Sequence, residues 1–227
     1  MTESIPIVFV VDDDRSVRQA LEWLIESAGL RPLTFASARE FLASPRALTP
    51  SCLVLDVTLP DLNGLELQAR IARDRVDMPI IFITGYGDVP MTVRAMKAGA
   101  LEFLTKPFDD DVLLRAIRHA IERSRTALGR EAEMETLRDR YASLSRRERE
   151  VMALVASGLL NKQVAHELLI SEITVKAHRG KVMRKMQAHS FADLVNIAGR
   201  LGIERFPLQA HRAQRRMVRD LPAAHSN

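Results

Sequence analysis

Five short apolar runs mark the first half of the chain, at 7–11, 31–35, 52–56, 80–84 and 101–104. Between them, apolar residues recur three and four positions apart. Val17, Leu21, Leu24, Ile25 and Ala28 form one such series before Gly29, and comparable stretches fall at 38–43, 65–71, 89–98 and 109–121. Short continuous runs predict strands covered on both faces, and the 3.6-residue period predicts amphipathic helices. Five such strand–helix alternations predict a doubly wound, five-stranded parallel sheet.

From Leu113 the helical period continues through Ile117, Ala120, Ser124, Ala127, Glu131, Met134, Leu137, Tyr141 and Leu144. That seam allows one continuous helix that pairs in a dimer, whereas Gly129 and the polar seam residues allow a hinged linker. Either way, residues 125–143 are expected to join an α/β domain (1–124) to an all-α domain (144–204) without a core of their own. Ser145-Arg146-Arg147-Glu148 has the spacing of a capping box. Helices are predicted from there to Ser157-Gly158, from Asn161 with Val164, Ala165 and Leu168 inward, and from Ser171 over 172–187. A fourth is marked by Phe191, Leu194, Val195, Ile197 and Ala198. Short helices and a tight turn before a basic helix suggest a helix-turn-helix. On that basic helix Val175, His178, Val182 and Met186 share an inward face, and Ile173, Ala177, Gly180 and Arg184 centre the opposite one. Residues 205–227 carry Arg212, Arg215, Arg216 and Arg219 among scattered Ala, His and Pro and are expected to be a disordered tail.

Composition narrows the class. A chain of 227 residues, 47% hydrophobic with net charge +4, is expected to be soluble. It has no run approaching the roughly 20 apolar residues of a membrane span and no secretory leader pattern. A single cysteine, Cys52 inside an apolar run, excludes a disulfide framework and favours the cytoplasm. Charge is uneven. Asp12, Asp13, Asp14 and Asp56 cluster early, while 146–185 holds nine Lys or Arg against four Glu. An acidic, cation-binding front and a nucleic-acid-binding back fit this asymmetry.

The apolar runs deliver chemistry to their ends. Asp12 and Asp13 follow the first, Asp56 ends the third, Thr84 ends the fourth, and Lys106-Pro107 follows the fifth. In doubly wound sheets the carboxyl ends of such strands meet at the switch point. Three acids held together repel, which raises a pKa or calls for a cation, and Mg²⁺ suits an all-oxygen set. Carboxylate, hydroxyl and ammonium together suit phosphoryl transfer to a carboxylate. Asp14 reads as a solvated first residue of a helix, and a Lys–Pro bond can be cis. A small phosphohydrolase working through an aspartyl-phosphate is the competing reading. Against it, Thr58 rather than an acid stands two residues after Asp56, where haloacid-dehalogenase-like phosphatases keep a general acid.

Val11-Asp12-Asp13, the segment from Asp56 through Pro60 to Gly64, Ile83-Thr84-Gly85 and Lys106-Pro107-Phe108 resemble the flavodoxin-like receiver domain of bacterial response regulators. The segments 85–91 and 95–100 resemble its FixJ-type branch. The resemblance implies a regulator rather than an enzyme, with Asp56 accepting a phosphoryl group from a sensor histidine kinase. Asp12, Asp13, Asp56 and the Thr58 carbonyl would hold Mg²⁺, Thr84 and Lys106 would bind phosphoryl oxygens, and Phe103 would be the switch aromatic. Tyr86 would shield the acyl phosphate. Phosphorylation would produce a homodimer through the face formed by 89–98 and 101–104.

Leu144–Val151, Gly158, the stretch from Asn161 to Ala165, and Ile170-Ser171 with Thr174 to His178 resemble LuxR/NarL-type DNA-binding domains. The resemblance implies a recognition helix in the major groove of double-stranded promoter DNA, dimerisation through the fourth helix, and RNA polymerase as a further partner. Lys176, Ala177 and Gly180 fall at its base-contacting positions, with phosphate contacts expected from Lys162, Thr174, Arg179 and Lys181. An output domain that binds RNA or protein is the alternative.

Overall fold

The structure is a computed structural model that describes residues 5–45, 48–74 and 78–203. The expected tail at 205–227 lies outside the described residues. The chain forms two compact units, Met1–Glu131 and Ala132–Asn227.

The first unit is built on β1 (Ile7–Val11), β2 (Arg31–Phe35), β3 (Ser51–Asp56), β4 (Ile80–Thr84) and β5 (Glu102–Thr105). They form one parallel sheet in the order β2-β1-β3-β4-β5. The helices between them are α1 (Arg15–Ser27), α2 (Ala38–Ala43), α3 (Gly64–Asp74) and α4 (Val89–Lys97), with α5 (Asp110–Ala142) following β5. Alternate residues of each central strand feed opposite cores, as the pleat requires. Phe9, Val11, Leu53, Leu55 and Phe82 pack beneath Phe41, Leu67 and Ala95 of α2, α3 and α4. Val8, Val10, Cys52, Val54, Ile81 and Ile83 pack against Leu21 and Ile25 of α1 and Leu113 and Ile117 of α5. Cys52 is thus core filling, and burial pushes its thiol pKa far up. β5 begins one residue later than its apolar run, because Glu102 is the residue that pairs with Ile81 in the ladder.

The second unit contains α6 (Arg146–Ala156), α7 (Asn161–Leu168), α8 (Glu172–Met186) and α9 (Phe191–Arg200). Its core joins Val151, Met152, Val155, Val164, Leu168, Val175, Val182, Met186 and Leu194. The capping box at Ser145 and Glu148 is formed, and Ser171 caps α8 by accepting the Thr174 N–H. α5 runs unbroken through Gly129 for 33 residues. Near its end Leu137 is buried in this second core, with Met134 and Tyr141 packed against it. On α9 the inward face is narrower than its apolar residues suggest. Phe191 and Val195 remain partly exposed, and the Phe191 ring instead covers the Arg179 guanidinium, 5.3 Å away.

Candidate functional site

The sheet register decides which side chains meet. Val11 pairs with Leu55, so Asp12 and Asp56 leave neighbouring strands at the same level. Asp56 pairs with Ile83, placing Thr84 one step beyond, and Thr84 pairs with Thr105, placing Lys106 beyond that. The Lys106 backbone N–H donates to the Thr84 carbonyl at 2.7 Å, and the Lys106–Pro107 peptide bond is cis. From there the lysine returns over the sheet edge. Its Nζ donates to Asp12 Oδ2 at 2.7 Å and to Asp56 Oδ2 at 2.6 Å.

Asp12 and Asp56 are buried and Asp13 is exposed, yet each offers a carboxylate oxygen within 4.8 Å of the others. Burial pushes the Asp12 carboxyl above its ordinary pKa, partly offset by the Lys106 ammonium. Burial also pulls the Lys106 ammonium down, but its bonds to the two carboxylates outweigh this and hold it above its usual value. Three hard oxygen donors, with one open to solvent, fit a small divalent cation that keeps part of its water shell. Thr58 belongs to the same corner, since its backbone N–H donates to Asp56 Oδ1 at 2.8 Å while its side chain faces solvent. Asp14 is exposed and caps α1, and the Ser16 and Val17 N–H groups it accepts lower its pKa.

Thr84 and Phe103 lie on the neighbouring side. The Thr84 hydroxyl is buried and turned to its own loop, donating to the Tyr86 carbonyl and accepting the Tyr86 N–H, both at 3.2 Å. Phe103 is half-buried, its ring 6.1 Å from that of Phe82. A Cβ on Gly87 would lie 2.9 Å from Thr105 Cγ2, 3.1 Å from Phe103 Cε1 and 3.4 Å from Thr84 Cγ2. The backbone after Thr84 therefore rests directly on the Phe103 ring. Tyr86 itself is exposed.

Two supporting residues escaped the sequence reading. The Arg18 guanidinium donates to the Asp12 and Asp13 carbonyls at 2.7 and 2.9 Å, tying the acidic loop to α1. Asp61 accepts the Ala38 and Arg39 N–H groups, pinning the loop after Asp56 to the start of α2. Backbone partners leave no mark in a sequence. The one hint was Arg18 on the first turn of a helix that opens directly after the acids.

In the second unit, Lys162, Lys176, Ala177, Gly180 and Lys181 are exposed, and Thr174 is half-buried with its hydroxyl 2.8 Å from that of Ser171. Val175, Val182 and Met186 are buried, and His178 turns a buried Nδ1 inward, as the helical spacing predicted. Arg179 differs from the other basic residues. It donates to Asn161 Oδ1 at 3.2 Å and stacks on Phe191, so it ties α8 to α7 and α9.

A receiver-type sheet with clustered acids and an apposed lysine, in one chain with a helix-turn-helix unit, defines a signal-receiving DNA-binding protein. Residues 8–118 match the family described as response regulator receiver domain, and residues 142–198 match bacterial regulatory proteins of the luxR family. Nodulation protein W of Bradyrhizobium diazoefficiens is 54% identical over 197 residues, covering 87% of either chain. Response regulator protein TmoT of Ectopseudomonas mendocina is 45% identical over 201 residues, covering 88% of this chain and 91% of its own. Among solved structures, the response regulator StyR superposes with a TM-score of 0.77 at 45% identity, covering 86% of this chain and 99% of that one. Full-length FixJ from B. japonicum gives 0.52 at 43% identity, covering 88% and 98%. The chain belongs to the two-component response regulators with a LuxR-type DNA-binding domain, and its function is phosphorylation-controlled regulation of transcription. No helix among the described residues is long and apolar enough to cross a membrane.

Proposed function

We propose that Asp56 is the phosphoacceptor and that its phosphorylation drives the receiver into a dimerising state that brings two recognition helices onto one DNA site. The observation that carries this is the shared bond of Lys106 to Asp12 and Asp56, with Asp13 close by. An Asp56 carboxylate oxygen attacks phosphorus of a phosphohistidine on a sensor kinase. The phosphorus–nitrogen bond breaks, and its electron pair stays on the imidazole. Asp12, Asp13, Asp56 and the Thr58 carbonyl would hold Mg²⁺, which when bound neutralises charge on the transferring phosphoryl group. Lys106 is already in place to receive a phosphoryl oxygen.

Thr84 gives the step its consequence. Its hydroxyl must exchange the Tyr86 carbonyl for a phosphoryl oxygen, which moves the loop that rests on Phe103. Phe103 then changes position, and the face of α4 and β5 changes with it. The exposed Val89, Val93 and Met96 on α4 support that face as the dimer contact. The energy source is the differential contact of Thr84 and Lys106 with a phosphoryl group in the two states, a population shift. In the output unit, Lys176, Ala177 and Gly180 read bases, and Lys162, Thr174 and Lys181 contact phosphates. Arg179 is the least supported of the phosphate contacts, because it is engaged within its own unit. The partners are a sensor kinase, promoter DNA and RNA polymerase, in the cytoplasm.

Sedimentation velocity of wild type and Asp56→Asn, with Mg²⁺ and then added beryllofluoride, tests the reading. A monomer that becomes a dimer only in wild type is expected. No change in either would remove the receiver mechanism and leave the DNA-binding function standing.

A further inference from the structure

We infer that Ile173 is a base-reading residue that packs on the 5-methyl group of a thymine in the major groove. The inference rests on the DNA-binding reading of α8 and adds a contact outside the residues already assigned there. Ile173 is 80% exposed, whereas the other branched apolar residues of α8, Val175 and Val182, are fully buried. A β-branched side chain on an exposed helical position contributes neither packing nor helix propensity, so a role in the folded unit alone does not explain it.

Its surroundings identify the occupant. At 100° per residue, Ile173, Ala177 and Gly180 lie within about 60° of one another, along about 10 Å of helix. A Cβ on Gly180 would meet nothing within 4 Å, so this face is open. From Ile173 to Gly180, Ile173 is the one long side chain on an otherwise shallow apolar strip, flanked by the exposed cations Lys176 and Lys181 and closed at its far end by Arg184. An apolar strip between cations matches a groove floor between phosphates and fits poorly to another apolar protein face. Ile173 is also the second residue of α8, and helix-turn-helix proteins insert the N-terminal residues of this helix among base edges. Within the major groove the apolar feature is the thymine methyl, for which an aliphatic side chain is the complementary partner. Ala177 is too short to fill that space, and Lys176 supplies hydrogen bonds instead.

The test uses the full chain with Mg²⁺ and beryllofluoride on a random duplex library, followed by affinity measurements on the enriched site. Each thymine is replaced in turn by uracil, which lacks only the methyl group. For wild type, one uracil position per half-site should weaken binding about fourfold, the loss expected for one buried methyl. Ile173→Ala should be insensitive at that position and retain the wild-type response at all others. Alanine raises helix propensity, so this variant keeps the fold. An enriched site whose uracil penalties are the same for both chains, or that contains no thymine, would overturn the contact alone. Failure to enrich any duplex would remove the DNA-binding reading and the contact with it.

Discussion

The Lys106 ammonium lies 2.6 Å from Asp56 and 2.7 Å from Asp12, so a single cation serves carboxylates delivered by two different strands. Lys106→Met leaves the Oδ2 atoms of both carboxylates without a partner, their Oδ1 atoms keeping the Asp14 and Thr58 N–H groups, at a site where Asp12 is fully buried. Without Mg²⁺ the receiver should lose about 1–3 kcal/mol, the usual cost of an unpaired buried polar group. With Mg²⁺ it should recover more than wild type does, because the ion no longer competes with an ammonium for the same oxygens. Thermal unfolding with and without Mg²⁺ reads both effects. A smaller Mg²⁺-induced rise in Tm than wild type's would show that Lys106 is not a competitor.

Gly64 and Gly87 should respond differently to alanine. A Cβ at Gly64 would stand 2.6 Å from the Asp56 carbonyl oxygen and 3.0 Å from the Val57 Cα, and backbone cannot yield without moving the acceptor. Gly64→Ala should therefore cost about 1–3 kcal/mol, as overpacking does, and slow phosphorylation of Asp56. At Gly87 the obstacles are the Thr105 methyl and the edge of the Phe103 ring, both side chains. Gly87→Ala should leave stability nearly unchanged and alter the dimerisation response to beryllofluoride. Urea unfolding and sedimentation of the two variants separate these outcomes.

Glu148 ties α6 to α8 through its bond to Lys185 and closes the start of α6 through the Ser145 N–H. The Lys185 ammonium first, and the Ser145 amide second, lower its pKa from 4.5 to about 2. A depressed folded pKa means that the unfolded chain binds the proton more readily. The stabilisation is therefore complete above pH 4.5 and is lost as pH falls toward 2. Wild type should exceed Glu148→Gln in stability at pH 5, and the gap should narrow between pH 4.5 and 2. Urea titrations across that window would contradict the assignment if the gap stayed constant.

Much of the site was legible because an apolar run that stops at a carboxylate, hydroxyl or ammonium marks where a buried strand emerges. Asp12, Asp56, Thr84 and Lys106 all announced themselves in this way, and register then brought them together. Arg18 and Asp61 did not, because they act on backbone carbonyls and amides that every residue possesses. The faces of α8 followed from spacing alone, yet the engagement of Arg179 with Asn161 and Phe191 depends on how three helices pack. Gln68 was hidden for the same reason. It is buried on α3 and donates to the Ala95 carbonyl of α4, a long-range bond with no local signature.

The end of α5 gives a related prediction. Leu137 precedes the stretch matched by the luxR-family model, yet it is only 6% exposed within the core of the second unit. Arg149 donates to the Ala142 carbonyl at 2.8 Å and Lys185 to that of Ser143 at 3.1 Å, so cations hold this helix terminus on the unit. Leu137→Ala should cost the output unit about 2–4 kcal/mol, as for a buried leucine elsewhere. Denaturant unfolding of the full chain, followed by loss of DNA affinity, would show it. A shift under 1 kcal/mol would mean the seam is peripheral.

Lys181 and Arg179 are two residues apart on α8 and should fail in different ways when truncated. Lys181 is exposed on the flank of the groove-facing side, so its contribution to DNA binding is the release of a counterion from one phosphate. Lys181→Ala should leave stability unchanged and reduce the slope of log affinity against log salt by about 0.9 per subunit. Arg179 donates to Asn161 and stacks on Phe191, so its removal unties α8 from both neighbours. Arg179→Ala should lower the stability of the output unit by about 1–2 kcal/mol, summing a hydrogen bond and a cation–π contact. It should weaken DNA binding at every salt concentration while leaving the slope as in wild type. Parallel salt titrations and urea curves decide the matter. A reduced slope for Arg179→Ala at unchanged stability would mean that the side chain leaves Asn161 when DNA arrives, and would restore it to the phosphate contacts.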